Sequence, residues 1–180
     1  MESEFDVKMN TVAVSGGIPI SERWTIQASI GMILNGELSP ETGSDYDINP
    51  GGFASIDLDY NVFAGKGFKP YFDLSVMLGA AMAETEKSDD KIKTDYISTD
   101  VRLSVRSSWN VKNRLFPFAA AGLFGGPILW EIDGKDVTGT DIYHYHFSIG
   151  SAIKLGPTVA YMEWAALGEQ SLKAGLSIAW

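Results

Sequence analysis

The run His144-Tyr145-His146-Phe147-Ser148 holds the residues of this sequence best suited to catalysis. In an extended strand alternate residues share a face, so His144, His146 and Ser148 point the same way. A tight turn at Gly156-Pro157 would set Glu163 opposite Gly150, one diagonal step from Ser148. Hydrolysis by a serine needs a base to activate the hydroxyl and an acid to orient the base, roles that Ser148, His146 and Glu163 could fill. The plainer reading, that both histidines are polar residues of an interior or a rim, is preferred, and no enzyme is expected. His144 and His146 could share a metal ion, but no third ligand stands out, so neither a metal nor a cofactor is expected. Walker, dinucleotide and HExxH patterns are absent from the sequence.

A second set of polar groups has a different logic. Asp57, Asp59, Asp73, Asp100, Arg102 and Arg106 each sit at every second position of otherwise apolar segments. One face of 53–63 carries Ala54, Ile56, Leu58, Tyr60 and Val62, and the other Ser55, Asp57, Asp59 and Asn61. The same period of two runs through Leu74, Val76, Leu78, Ala80 and Met82 against Asp73, Ser75 and Met77. It recurs in Ile97, Thr99, Val101, Leu103 and Val105 against Ser98, Asp100, Arg102, Ser104 and Arg106, and in 24–34. Carboxylates and guanidinium groups facing a dry core would cost several kcal/mol each, on the order of the penalty for unpaired buried charge. A polar lumen accommodates them. The spacing therefore predicts a lumen network in which Arg102 and Arg106 pair with Asp73 and with Asp57 or Asp59, joined by Glu163, Lys154 and Lys173, as a plug rather than a pore.

These residues require strands to hold them. Further candidate strands cover 5–14, 115–124, 142–155, 158–164 and 172–180. Links at 19–23, 65–69, 110–114 and Gly156-Pro157 are short, whereas those at 35–52, 84–95 and 125–141 are long and polar. The uncharged stretch 115–130 contains Pro117 and Pro127 with three glycines and is too short for a spanning helix. The class predicted is all-β: an antiparallel up-and-down transmembrane β-barrel whose wall alternates lipid-facing and lumen-facing residues. The candidates number nine, whereas bacterial single-chain barrels have even counts. Eight strands are preferred, with the segment before Pro19 or 158–164 lying outside the wall, and ten is the alternative.

Composition fits this pattern. The chain of 180 residues suits a single domain over 1–180, and its mean hydropathy of +0.00 is what an alternating wall averages to. A formal charge of −9 without a basic cluster argues against nucleic acid as a partner. The absence of cysteine excludes disulfides and thiolate chemistry. Glu2, Glu4 and Asp6 leave no apolar run at the start, so an export signal is expected to lie outside the given chain. Trp24, Tyr71, Phe72, Trp109, Phe116, Trp130, Tyr143, Tyr145 and Trp180 fall mainly near strand ends, where a membrane interface favours aromatic rings.

The closing residues carry the most specific signal. Leu172, Ala174, Leu176, Ile178 and Trp180 form an unbroken apolar face ending in an aromatic, and Lys173, Gly175, Ile178 and Trp180 fall at the polar, glycine, apolar and terminal-aromatic places of an assembly signal. In this the chain resembles small bacterial outer-membrane β-barrel proteins of the OmpA/OmpX-like class. The resemblance implies recognition by the barrel-assembly machinery, contact with outer-membrane lipid and lipopolysaccharide, and residence in the bacterial outer membrane. The function expected is structural, accessory or adhesion-like, with a possible protein partner at the long connections. His146-Phe147-Ser148 also resembles part of the His-x-Ser-Asn motif of outer-membrane lipid A deacylases, with Ile149 in place of Asn. That makes a Ser148/His146/Glu163 lipid hydrolase one alternative. A soluble lipocalin-like barrel, whose apolar faces would point inward around a ligand, is the other.

Overall fold

The computed structural model describes residues 5–40, 44–65, 69–87, 92–132, 135–140, 143–168 and 170–178. Every regular element among them is a strand, and every pairing is antiparallel. In chain order they are β1 (Phe5–Pro19), β2 (Trp24–Pro40), β3 (Tyr46–Ile48), β4 (Gly51–Phe63), β5 (Tyr71–Lys87) and β6 (Lys93–Ser108). These are followed by β7 (Leu115–Gly125), β8 (Pro127–Ile132), β9 (Lys135–Thr140), β10 (Tyr145–Leu155), β11 (Thr158–Gly168) and β12 (Ser171–Ile178).

These twelve segments form one sheet with the order β1-β2-β3-β5-β6-β7-β10-β11-β12. β3 and β4 both lie between β2 and β5, so they are one strand broken at Asn49-Pro50, where Pro50 has no N–H to offer a ladder. β7 and β8 similarly share the flank of β6 and part at Gly126, where the Thr99 carbonyl approaches too closely for any side chain. β9 pairs with β8 as β10 pairs with β7, so β9 and β10 make one further lane. The Phe124 N–H donates to the His144 carbonyl at 2.9 Å, which extends the β7–β10 ladder toward β9. Among the described residues the sheet thus has nine lanes. This corrects the preferred count of eight: the segment before Pro19 pairs with β2 along its whole length, and β11 is laddered on both sides. Only the parity of the count argues against these two strands, and their hydrogen-bonded ladders override it.

Tight connections set the register. Lys112 and Asn113 have φ of 54° and 57°, consecutive left-handed residues in the tight turn closed by the Val111–Leu115 bridge, and Asn110 braces it by accepting the Asn113 N–H at 2.8 Å. Gly156, at φ 68°, opens the two-residue turn that joins β10 to β11. That turn places Glu163 opposite Gly150.

Ladder formation segregates the side chains by polarity. On β5 the apolar set Leu74, Val76, Leu78 and Met82 is exposed, while Asp73, Ser75 and Met77 are half-buried on the other face. Leu103 and Val105 on β6, Ile30 and Met32 on β2, and Leu123 on β7 continue the exposed apolar face. The sheet therefore turns its greasy side outward.

The large buried apolar residues gather at one end, beside the longer connections. Ile33, Leu38, Tyr46, Ile48, Tyr96 and Trp130 pack together, with Met9, Phe53, Ala81, Ala83 and Ile128 against them. Trp130 and Tyr46 meet edge to face at 4.7 Å, and the Trp130 indole N–H donates to Thr85 Oγ1 at 2.8 Å. Two expectations are corrected here. Trp130 is 6% exposed and belongs to this cluster rather than to an interfacial belt. The described residues of 35–52, 84–95 and 125–141 are largely strand rather than loop, because their scattered Leu38, Tyr46, Ile48 and Trp130 have this cluster to fill.

Candidate functional site

The half-buried polar residues of nearly every lane converge on a cavity of about 360 Å³. Asp57 and Asp59 reach it from β4, Asp73, Ser75 and Met77 from β5, and Arg102, Ser104 and Arg106 from β6. Ala120, His146, Glu163 and Lys173 contribute from β7, β10, β11 and β12, and Thr25 from β2. Lanes far apart in the sheet order, β2 and β12, thus line one space, which requires the sheet to curl strongly on itself. The charged residues expected to face inward are thus among those that line this space.

Asp73, Arg102 and Arg106 each have a close neighbour at the cavity wall. Asp73 and Arg106 stand directly opposite each other in register, yet Asp73 accepts the Asn61 amide at 2.7 Å while the Arg106 guanidinium lies over the Phe118 ring at 4.9 Å. Arg102 bridges to Asp100 on its own strand, two residues back on the same face, at 3.1 Å, and lies over Phe124 at 5.2 Å. Each guanidinium therefore rests on an aromatic face, a favourable geometry in a partly desolvated space.

Glycines make room for those rings. A side chain at Gly150 would strike the Phe118 ring and the Met162 carbonyl, and one at Gly175 would strike the Tyr161 ring. Gly31 bears the same relation to Phe53. In each case the ring belongs to the residue directly across the ladder, Phe118, Tyr161 or Phe53. The ring lies flat on the wall, as aromatic cover of a strand glycine does, and the cavity stays clear. This device escapes a reading of strands one at a time, because it depends on register between strands.

The catalytic candidates are brought together only in part. His146 and Glu163 both line the cavity. Ser148 is 0% exposed, and its hydroxyl makes no hydrogen bond among the described residues. A serine nucleophile needs its base within hydrogen-bond reach, about 2.6–3.2 Å. No group of three or more potential metal ligands occurs among the described residues. Of the residues expected to form an assembly signal, three lie on β12: Lys173 opposite Glu163, Gly175 under Tyr161, and Ile178 opposite Thr158. Trp180 lies outside the described residues.

No protein-family model, curated protein or solved structure matches the chain. The sheet and its cavity are therefore the whole basis for a functional reading.

Proposed function

We propose that the chain is an integral β-barrel of a bacterial outer membrane, serving without catalysis as a structural, accessory or adhesion-type scaffold. The observation that carries this reading is the polarity of the sheet: exposed leucines, isoleucines and valines on one face, a partly enclosed charged cavity on the other. In water this arrangement is inverted, since monomeric proteins rarely leave more than roughly a few hundred Å² of contiguous apolar surface exposed. In a bilayer it is the stable one. The exposed apolar run of β5 extends from Leu74 to Met82, close to the roughly 9–11 residues with which a tilted strand crosses the hydrocarbon.

On this reading the partners are outer-membrane lipid and lipopolysaccharide along the wall, the barrel-assembly machinery at β12 during biogenesis, and a protein at the long connections. A lipocalin-like carrier needs the opposite polarity, with Leu74, Val76, Leu103 and Val105 inside; all four are exposed.

The test is electrophoretic mobility with and without boiling, after refolding in detergent and separately in plain buffer. A boiling-dependent shift confined to the detergent sample is the expected result. A folded, monodisperse protein in plain buffer would overturn the reading.

A further inference from the structure

The two ends of the sheet differ in charge, and the difference follows from the topology. Short turns join β1 to β2, β4 to β5, β6 to β7 and β10 to β11, so these four connections lie at one end. The described charged residues at that end are Arg23, Lys69, Lys112, Arg114 and Lys154, with Glu22 as their sole carboxylate. All five cations are exposed, and none forms an ion pair among the described residues. Two are adjacent across the wall, since the Lys154 N–H donates to the Arg114 carbonyl at 2.8 Å. At the opposite end the balance reverses: Glu37, Asp45, Asp47, Glu84, Glu86 and Asp95 face Lys87 and Lys93, while Asp6 and Lys8 pair with each other at 3.4 Å.

Aromatic rings lie between the cations and the apolar wall. Trp24 packs on Tyr60 at 4.7 Å, and Phe63 stacks on Phe72 at 5.5 Å, both at the short-turn ends of their strands. Arg23 donates to the Tyr60 hydroxyl at 3.2 Å, which holds a cation at the edge of that aromatic ring. Passing along the wall, the order is apolar belt, aromatic ring, unpaired cations. This is the order of hydrocarbon, interface and headgroup in a bilayer.

Resting on the membrane reading above, we infer that the short-turn end is a collar that binds the phosphates of anionic phospholipid headgroups. Lysine and arginine stems lie along apolar surface while their charged heads reach phosphate depth. Near an anionic leaflet their attraction adds up cation by cation, and salt screens it. The carboxylate-rich opposite end has no such affinity.

The experiment refolds the chain into vesicles of phosphatidylcholine alone and of phosphatidylcholine with about one-quarter phosphatidylglycerol, scoring folding by the boiling-dependent shift. Association of spin-labelled phosphatidylglycerol and phosphatidylcholine with the folded protein is then compared. The expected result is a preference of about two- to five-fold for phosphatidylglycerol, up to the size one such headgroup contact gives. That preference should fall toward unity in molar salt and in the fivefold variant R23Q/K69Q/K112Q/R114Q/K154Q, and survive in K93Q. Salt dependence of the unaltered protein decides the question should the fivefold variant fold poorly. A folded protein with no lipid preference, or with one insensitive to both salt and the five substitutions, would overturn the collar and leave the barrel standing. Absence of any boiling-dependent species in either vesicle would overturn the barrel itself.

Discussion

Gly150, Phe118 and Arg106 form a stack from the wall inward, each resting on the one before. Gly150→Val would meet the Met162 backbone as well as the ring, so the ring's movement alone cannot relieve it. The expected cost is about 1–3 kcal/mol, read from urea unfolding of the refolded protein, the range for forced overpacking. Ser148 is a contrasting case. Its buried hydroxyl has no base within reach, so Ser148→Ala should leave any hydrolysis of lipid A analogues by the purified protein unchanged, and a loss of such activity would revive the hydrolase. The inward direction of Asp57, Asp73 and Arg106 was legible in the sequence, because a two-residue period assigns a face without knowledge of any neighbour. Their partners were not legible. Asp73 could have taken Arg106 or Asn61, and the choice depends on side-chain geometry across two ladders.

At the scale of the strand, Leu78 is the sharpest discriminator between solvents. It lies midway along β5 and is 57% exposed on the outer face. If that face meets lipid, Leu78→Lys should destabilise the folded protein by about 2–4 kcal/mol in vesicles, the cost of a cation near the bilayer midplane. If the face meets water, the same substitution should be neutral or improve solubility. Urea titration followed by tryptophan fluorescence separates the two. Strand identity and the short turns were readable locally, from alternation and from Gly156-Pro157. The extension of β2, β5 and β6 beyond the apolar wall was obscured by acidic residues such as Glu37, Glu84 and Glu86, which read as loop. Those segments remain strand because Leu38, Thr85 and Tyr96 alternate with the acids and point into the buried cluster.

At the scale of the molecule, polar cavity and apolar cluster are arranged in series. The cavity lies toward the short turns, and the packed rings of Tyr46, Tyr96 and Trp130 occupy the end with the longer connections. If the sheet closes as a membrane barrel around it, an apolar cluster of this kind would obstruct ions more completely than charged side chains, because a passing ion finds nothing there to replace its water. Steady conductance is therefore not expected from single molecules in a planar bilayer, whereas the double variant Tyr46→Ala/Trp130→Ala should show openings. Nine lanes have one more consequence. In a meander each lane reverses the last, so β1 and β12, first and last of an odd series, run in the same direction. Among the described residues β1 pairs with β2 alone and β12 with β11 alone. No antiparallel ladder can stitch these two margins directly. A direct pairing of these two margins would have to be parallel, with slanted hydrogen bonds, unlike every ladder among the described strands.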